Sequence, residues 1–310
     1  MIEWHGGINL RKIKSLIHLL DYATRAKFGE LKERYEERYD KIDSKLLFIH
    51  LKFMRSSNLV EFHRKSYKLS FDGLIFQNFS ESKVEELTQL EKYMFSDQFL
   101  NDELFFQTFL TICRNNVEKY TCSTLRKIVL ECYKEHLRRN GDEKSLRELK
   151  KVEEYEDEYN KLKPSEKIRS KYYHLLRHKG GVVEVMQQTD LILKDWKGVY
   201  SINPEIYRKN PGEFDLHELL ISIYFPDSTF DEYRIRNKIQ EVIKKYEKHL
   251  PMSLQHFEKI LRYESLKENL SATPEQLEKI IQKSIISQEI LFKKTGGEIF
   301  ITGGNFYFEW

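Results

Sequence analysis

The sequence predicts a mostly α, α+β chain in which helical segments alternate with short β-hairpins. Three observations predict it. Apolar residues recur at three- and four-residue spacing along most of the 310 residues. Short alternating runs rich in aromatic and β-branched residues flank polar or glycine-bearing turns near positions 63–66, 195–198 and 296–297. Hydrophobic residues make up 40% of the chain and aromatics 13%, enough to bury a core rather than stay disordered. No apolar run approaches the roughly 18 residues of a membrane span, and the start, MIEWHGGINL, lacks the pattern of a signal peptide.

The elements follow in order. Leu10, Ile13, Ile17 and Leu20 recur at helical spacing within 9–27, with Asn9 placed to cap. Gly29 breaks that pattern, and 30–39 is a charged helix. Asp43 or Ser44 caps a third helix reaching about Ser57. It buries Leu47, Leu51 and Met54 and carries Lys45, Lys52 and Arg55 on an outer face. Leu59–Phe62 and Tyr67–Ser70 read as strands around a His63-Arg64-Lys65-Ser66 tip, and Phe71–Phe79 as a closing helix. Three helices, the third with a basic outer stripe, then a hairpin with a basic tip, is the order of a winged helix-turn-helix unit over 1–82. A helical, acidic connector is expected over 83–162, its Asn140-Gly141 marking a turn.

Pro164 opens a second winged-helix-like unit, 163–210. Here a helix is expected to end at Gly180-Gly181. Strands then follow at Val182–Val185, Leu191–Lys194 and Val199–Ile202, joined by MQQTD and DWKG turns. The last region, 211–310, reads as helical up to a β-hairpin with Gly296-Gly297 and Gly303-Gly304 at turns. Ser271, Thr273, Pro274 and Gln276 make a helix start, and there is room for a degenerate third winged helix. The architecture expected is therefore tandem winged-helix units joined by helical connectors. No two parts align as a sequence repeat.

Charge is unevenly spread. Residues 1–70 hold 15 Lys+Arg against 9 Asp+Glu, and 163–210 hold 10 against 5, while 71–162 and 211–310 are net acidic. Two basic blocks of this kind are an electrostatic footprint for phosphates. Cys113, Cys122 and Cys132, odd in number and widely spaced, suit reduced thiols in a cytoplasmic protein rather than disulfides or a zinc site.

Motifs for catalysis are weak. Asp72 with Glu81-Ser82-Lys83, and Asp21 with Glu30-Leu31-Lys32, have the letters of a metal-dependent nuclease, but neither Glu-x-Lys lies in an apolar strand. Arg169 and His174 have the spacing of a helical ribonuclease pair among packing-type neighbours. The glycines of TGGEIFITGG do not open a helix, so they form no phosphate loop. No catalytic residue, metal site or cofactor is expected.

The expectation is sequence-specific binding of double-stranded DNA. Lys45, Lys52 and Arg55 in the first unit, and Arg169, Tyr172 and Arg177 in the second, are the base-reading candidates. His63, Arg64, Lys65, Lys68, Lys194 and Lys197 are the phosphate candidates, with Lys179 beside the second helix and Trp196 placed to stack at a turn. The layout of about 1–210, and the passage KYYHLLRHKGGVVEVMQQTDLILKDWKGVYSINPE, resembles the DNA-recognition half of type IIS restriction and nicking endonucleases. The family's C-terminal nuclease domain has no counterpart here. The resemblance therefore implies a specificity subunit or recognition protein of a restriction, defence or mobile-element system. Two alternatives stay open. One is an architectural tandem-winged-helix subunit that binds a protein partner of a chromosome-organising ATPase complex. The other is a metal-dependent nuclease with dispersed ligands.

Overall fold

The computed structural model describes residues 2–82, 86–115, 117–207 and 215–304. Lys83, the expected boundary at 210/211 and the last six residues lie outside them. The chain is mostly helical with three small sheets, an α+β fold. It forms two compact units, Met1–Glu213 and Phe214–Trp310.

The first unit starts with α1 (Leu10–Leu19), capped by Asn9, whose side chain accepts the Lys12 N–H. The helix stops earlier than its apolar pattern predicts. Leu20 is extended, and the Asp21 carbonyl accepts the Leu69 N–H, which draws the chain toward a sheet. Two residues, β1 (Ala26–Lys27), join that sheet before α2 (Phe28–Arg38). Asp43 caps α3 (Ser44–Ser56) by accepting from Lys45 and Leu46 N–H. The hairpin β2 (Val60–His63) and β3 (Ser66–Leu69) follows, then α4 (Phe71–Phe79), capped by Ser70. The sheet order is β1-β3-β2, all antiparallel. Ile13, Leu16, Leu31, Leu47, Leu51 and Met54 fill the core beneath it.

Five helices continue: α5 (Gln89–Leu100), α6 (Glu103–Arg114), α7 (Cys122–Asn140), α8 (Glu143–Lys161) and the single turn α9 (Pro164–Lys167). Gly141, at φ +63, closes α7 as expected of the Asn-Gly turn. A buried Lys14–Glu91 pair, 2.7 Å apart, ties α1 to α5. Trp4 packs edge-on to Phe53 and Phe99, and its indole N–H donates to Asp102 at 2.9 Å. That bond fixes the first residues of the chain against α3 and α6.

Then come α10 (Lys171–Lys179), α11 (Gly181–Gln188), β4 (Ile192–Lys194), β5 (Tyr200–Ile202) and α12 (Pro204–Tyr207). The expected strand at Val182–Val185 is instead the middle of α11. The helix α10 does end at the glycine pair, with Gly180 as its C-cap, but Gly180 keeps right-handed helical angles and a second helix starts at once at Gly181. Gly181 answers a different need: a Cβ there would meet the His5 carbonyl oxygen at 2.3 Å. The chain start lies directly on α11. Gly7 N–H donates to Glu184, Gln188 donates to the Ile8 carbonyl and Leu10 N–H donates to Gln188, at 2.6–2.7 Å.

The second unit contains α13 (Leu216–Tyr224), α14 (Glu232–Lys245), β6 (Met252–Ser253), α15 (Leu254–Leu266), α16 (Pro274–Ile286), β7 (Ile290–Thr295) and β8 (Glu298–Gly304). Thr273 and Gln276 form a capping box on α16. Gly296 and Gly297, both at positive φ, make the two-residue hairpin turn. Gly303 and Gly304 do not form a turn; they pair with Leu291 and Ile290 inside the sheet.

The sheet order β6-β8-β7 repeats that of β1-β3-β2, with helices in the same places. A third, reduced version comes between them in sequence, where Tyr120 bridges Tyr200 of β5 and β5 pairs with β4. The helix before each hairpin ends identically. Asn58, Asp190 and Gln288 sit at φ +59, +58 and +60. One residue later the N–H of Leu59, Leu191 and Glu289 reaches back to the carbonyl of Met54, Met186 and Ser284, at 2.8–2.9 Å. These are three Schellman closures. The hydroxyls of Ser57, Thr189 and Ser287 each bond the carbonyl four residues earlier.

Candidate nucleic-acid interface

The outer face of α3 is built by its cap and its apolar stripe. With Leu47, Leu51 and Met54 turned into the core, Lys45, Phe48, Lys52 and Arg55 fall on the opposite side. Lys45 and Arg55 are exposed, Lys52 is half-buried and Phe48 is 51% exposed. Lys52 pairs with Glu3 of the chain start. The Arg55 guanidinium lies 5.2 Å from the centre of the Phe62 ring on β2, a contact worth about 0.5–1 kcal/mol at an exposed site.

The tip joins His63 to Ser66 through Arg64 and Lys65, both at positive φ. That is the backbone of a tight two-residue hairpin, here made without glycine. His63, Arg64 and Lys65 are exposed. Lys68 is already engaged. It pairs with Glu61 at 3.2 Å and stands over the Tyr22 ring, while Arg25 meets the same Glu61 at 3.6 Å.

The second set of predicted residues divides. Arg177 and His178 lie exposed at the C-terminal end of α10, and His178 feels the charge of Lys45 on α3. His5, from the chain start, puts its Nδ1 3.1 Å from the Nδ1 of His178. Burial holds both imidazoles below the usual histidine range, with neighbouring positive groups adding to it: Lys52 beside His5, Lys179 and Arg177 beside His178. The structure thus brings Lys45, Lys52 and Arg177 onto one cationic surface, with the His5–His178 pair and the chain start between. Among the described residues, Lys45, Arg64, Lys65 and Arg177 make no ion pair.

Tyr172 does not join that surface. It is 3% exposed, and its hydroxyl donates to Glu156 at 2.7 Å, which with burial pushes its pKa above the usual tyrosine range. Lys179 is half-buried with its ammonium 3.8 Å from the Tyr133 ring centre, and burial lowers its pKa. Arg169 is exposed at the opposite end of α10. Lys194, Trp196 and Lys197 occupy the β4–β5 tip. Trp196 is 89% exposed there, and the Lys197 ammonium lies 4.8 Å from its ring centre. The helix before that hairpin is α11, not α10, and α11 has no exposed residue. Sequence reasoning missed His5, His178 and Phe48. Only Phe48 carried a signal, an aromatic in line with the α3 cations.

Three carboxylates of the nuclease-like sets make local bonds. Asp72 accepts from Asn58 at 2.7 Å, Asp21 accepts from Ala23 N–H and Glu30 closes the start of α2. Among the described residues no group of three or more His, Cys, Asp or Glu is placed to hold a metal ion, and no helix is long and apolar enough to cross a membrane.

No family model and no curated protein matches the chain. Among solved structures it is similar to the restriction endonuclease FokI, at 11% identity and a TM-score of 0.41 over 98% of this chain. It is also similar to FokI bound to DNA, at 10% identity and a TM-score of 0.38. The chain spans 63% of the length of each of those two chains.

Proposed function

We propose that the chain is a sequence-specific double-stranded DNA-binding protein, a recognition module or specificity subunit of a restriction or defence system. In this reading α1–α4 with β1–β3 form a winged helix. The observation that carries the reading is the α3 stripe of Lys45, Lys52 and Arg55, adjoining a hairpin tip of three exposed basic residues. The helix lies in the major groove, where a basic side chain bidentate to guanine discriminates by about 1–3 kcal/mol. The tip lies along the flanking backbone, and Arg177 extends the phosphate contacts from α10. Lys52 exchanges Glu3 for DNA on binding. Recognition proceeds without cleavage by this chain.

Selection of a random duplex library at near-physiological salt, with Mg²⁺ in a parallel tube, tests this. A recovered consensus is expected, relaxed at one or two base pairs in Lys52→Ala or Arg55→Ala. Uniform, purely salt-sensitive binding would contradict it, and cut ends with Mg²⁺ would restore the nuclease reading.

A second reading, an architectural subunit that docks a protein partner, draws on the second unit. Ile286, Leu291 and Phe292 are exposed on α16 and β7 there.

A further inference from the structure

We infer that Phe48 is a specificity-determining residue that reads the C5-methyl group of a pyrimidine in the major groove. The inference rests on the DNA-binding reading above and goes beyond it by naming the base feature and the side chain.

Phe48 stands three residues after Lys45 and four before Lys52 on the exposed side of α3, so the three share one line along the helix. Phe48 is 51% exposed. The sheet, the core and the aromatic cluster of Trp4 take the phenylalanines that pack; Phe53, Phe95 and Phe99 are fully buried. Phe48 is left between cations, where folding gains little from an aromatic ring. A partner that accepts Lys45, Lys52 and Arg55 is an anionic one, and in the DNA-binding reading it is a duplex. In the major groove the apolar feature that a base edge offers is the C5-methyl of thymine, or of 5-methylcytosine. Four residues of helix span about 6 Å, close to two base-pair steps of about 3.4 Å each. The methyl group therefore belongs within about two base pairs of the guanine that Lys52 reads.

The test uses the full chain and the duplexes it selects from a random library. These are resynthesised with uracil for thymine, one position at a time, and with 5-methylcytosine for cytosine. One uracil replacement is expected to weaken binding about fourfold, or one 5-methylcytosine replacement to strengthen it about fourfold, the worth of one buried methyl. Phe48→Ala should bind the methylated and unmethylated duplexes equally, and Phe48→Leu should keep the preference. Phe48 is exposed, so neither change is expected to unfold the protein. The thymine and cytosine arms tell which pyrimidine is read. Equal binding by the parent at every position, in both arms, overturns the inference and leaves the DNA reading standing. Recovery of no duplex at all overturns both and points instead to a protein partner on this face.

Discussion

His50 occupies a core position on α3 with a ring that can take up a proton. It is fully buried, its Nε2 accepts the Asn9 N–H at 3.1 Å, and burial lowers its pKa to about 4. The imidazole therefore joins the α1 cap region to α3 in its neutral form. Above pH 6.5 the ring is neutral in both the folded and unfolded chain. Between 6.5 and about 4 the unfolded chain binds the proton and the folded chain does not, so stability falls as the pH falls. The loss from this residue by pH 5 is about 2 kcal/mol. Urea unfolding of the parent and of His50→Gln at pH 7 and pH 5 measures it. The stability difference between the two proteins should shift by that amount in favour of the variant at pH 5. An unchanged difference would show that His50 does not titrate as described.

The helix before each hairpin has the same closing geometry, and the residue at its left-handed position differs: Asn58, Asp190 and Gln288. Asparagine and aspartate tolerate that conformation through short polar side chains, and glutamine does so less well. Gln288→Gly should therefore stabilise the second unit by a net of about 0.5 kcal/mol, the relief of left-handed strain less the entropy glycine adds to the unfolded chain. A small rise in the unfolding midpoint checks this, and a fall would contradict it.

These closures also show what the sequence makes legible. The caps Asn9, Asp43 and Thr273, the helices α3 and α4 and the turns at 64–65, 195–198 and 296–297 were readable, because each uses local side-chain chemistry. The strand β1 was not, being two residues long. The helix α11 was read as a strand because Val182, Val183 and Val185 favour strands in isolation. Burial on every side and the close approach of His5 at Gly181 decide otherwise. Three helix-and-hairpin regions were expected from the order of elements, but their common closing geometry was hidden because it is carried by backbone angles and not by residue identity. In the candidate site, the exposed cations of α3 and the first tip were legible. The pairing of His5 with His178 joins positions 173 residues apart, and the burial of Tyr172 depends on Glu156 of another helix.

At the scale of the whole molecule, the basic blocks of 1–70 and 163–210 contribute to one surface through α3 and the end of α10. The second unit repeats the topology, but the lysines of the helix before its hairpin are paired. On α16, Lys279 pairs with Glu275 at 2.7 Å and Lys283 with Glu232 at 2.6 Å. Its hairpin still exposes Lys293 and Lys294. In the proposed reading, DNA contact falls to the first tip and not to the last. The most direct measurement is duplex affinity against salt concentration for the parent, for Arg64→Ala with Lys65→Ala, and for Lys293→Ala with Lys294→Ala. The first pair should weaken binding to all sequences alike and lower the slope of log affinity against log salt by about one to two. The second pair should leave affinity and slope as in the parent. An unchanged slope for the first pair, or an equal loss from the second, would contradict the proposal that the first hairpin tip and α3 are the DNA-reading face.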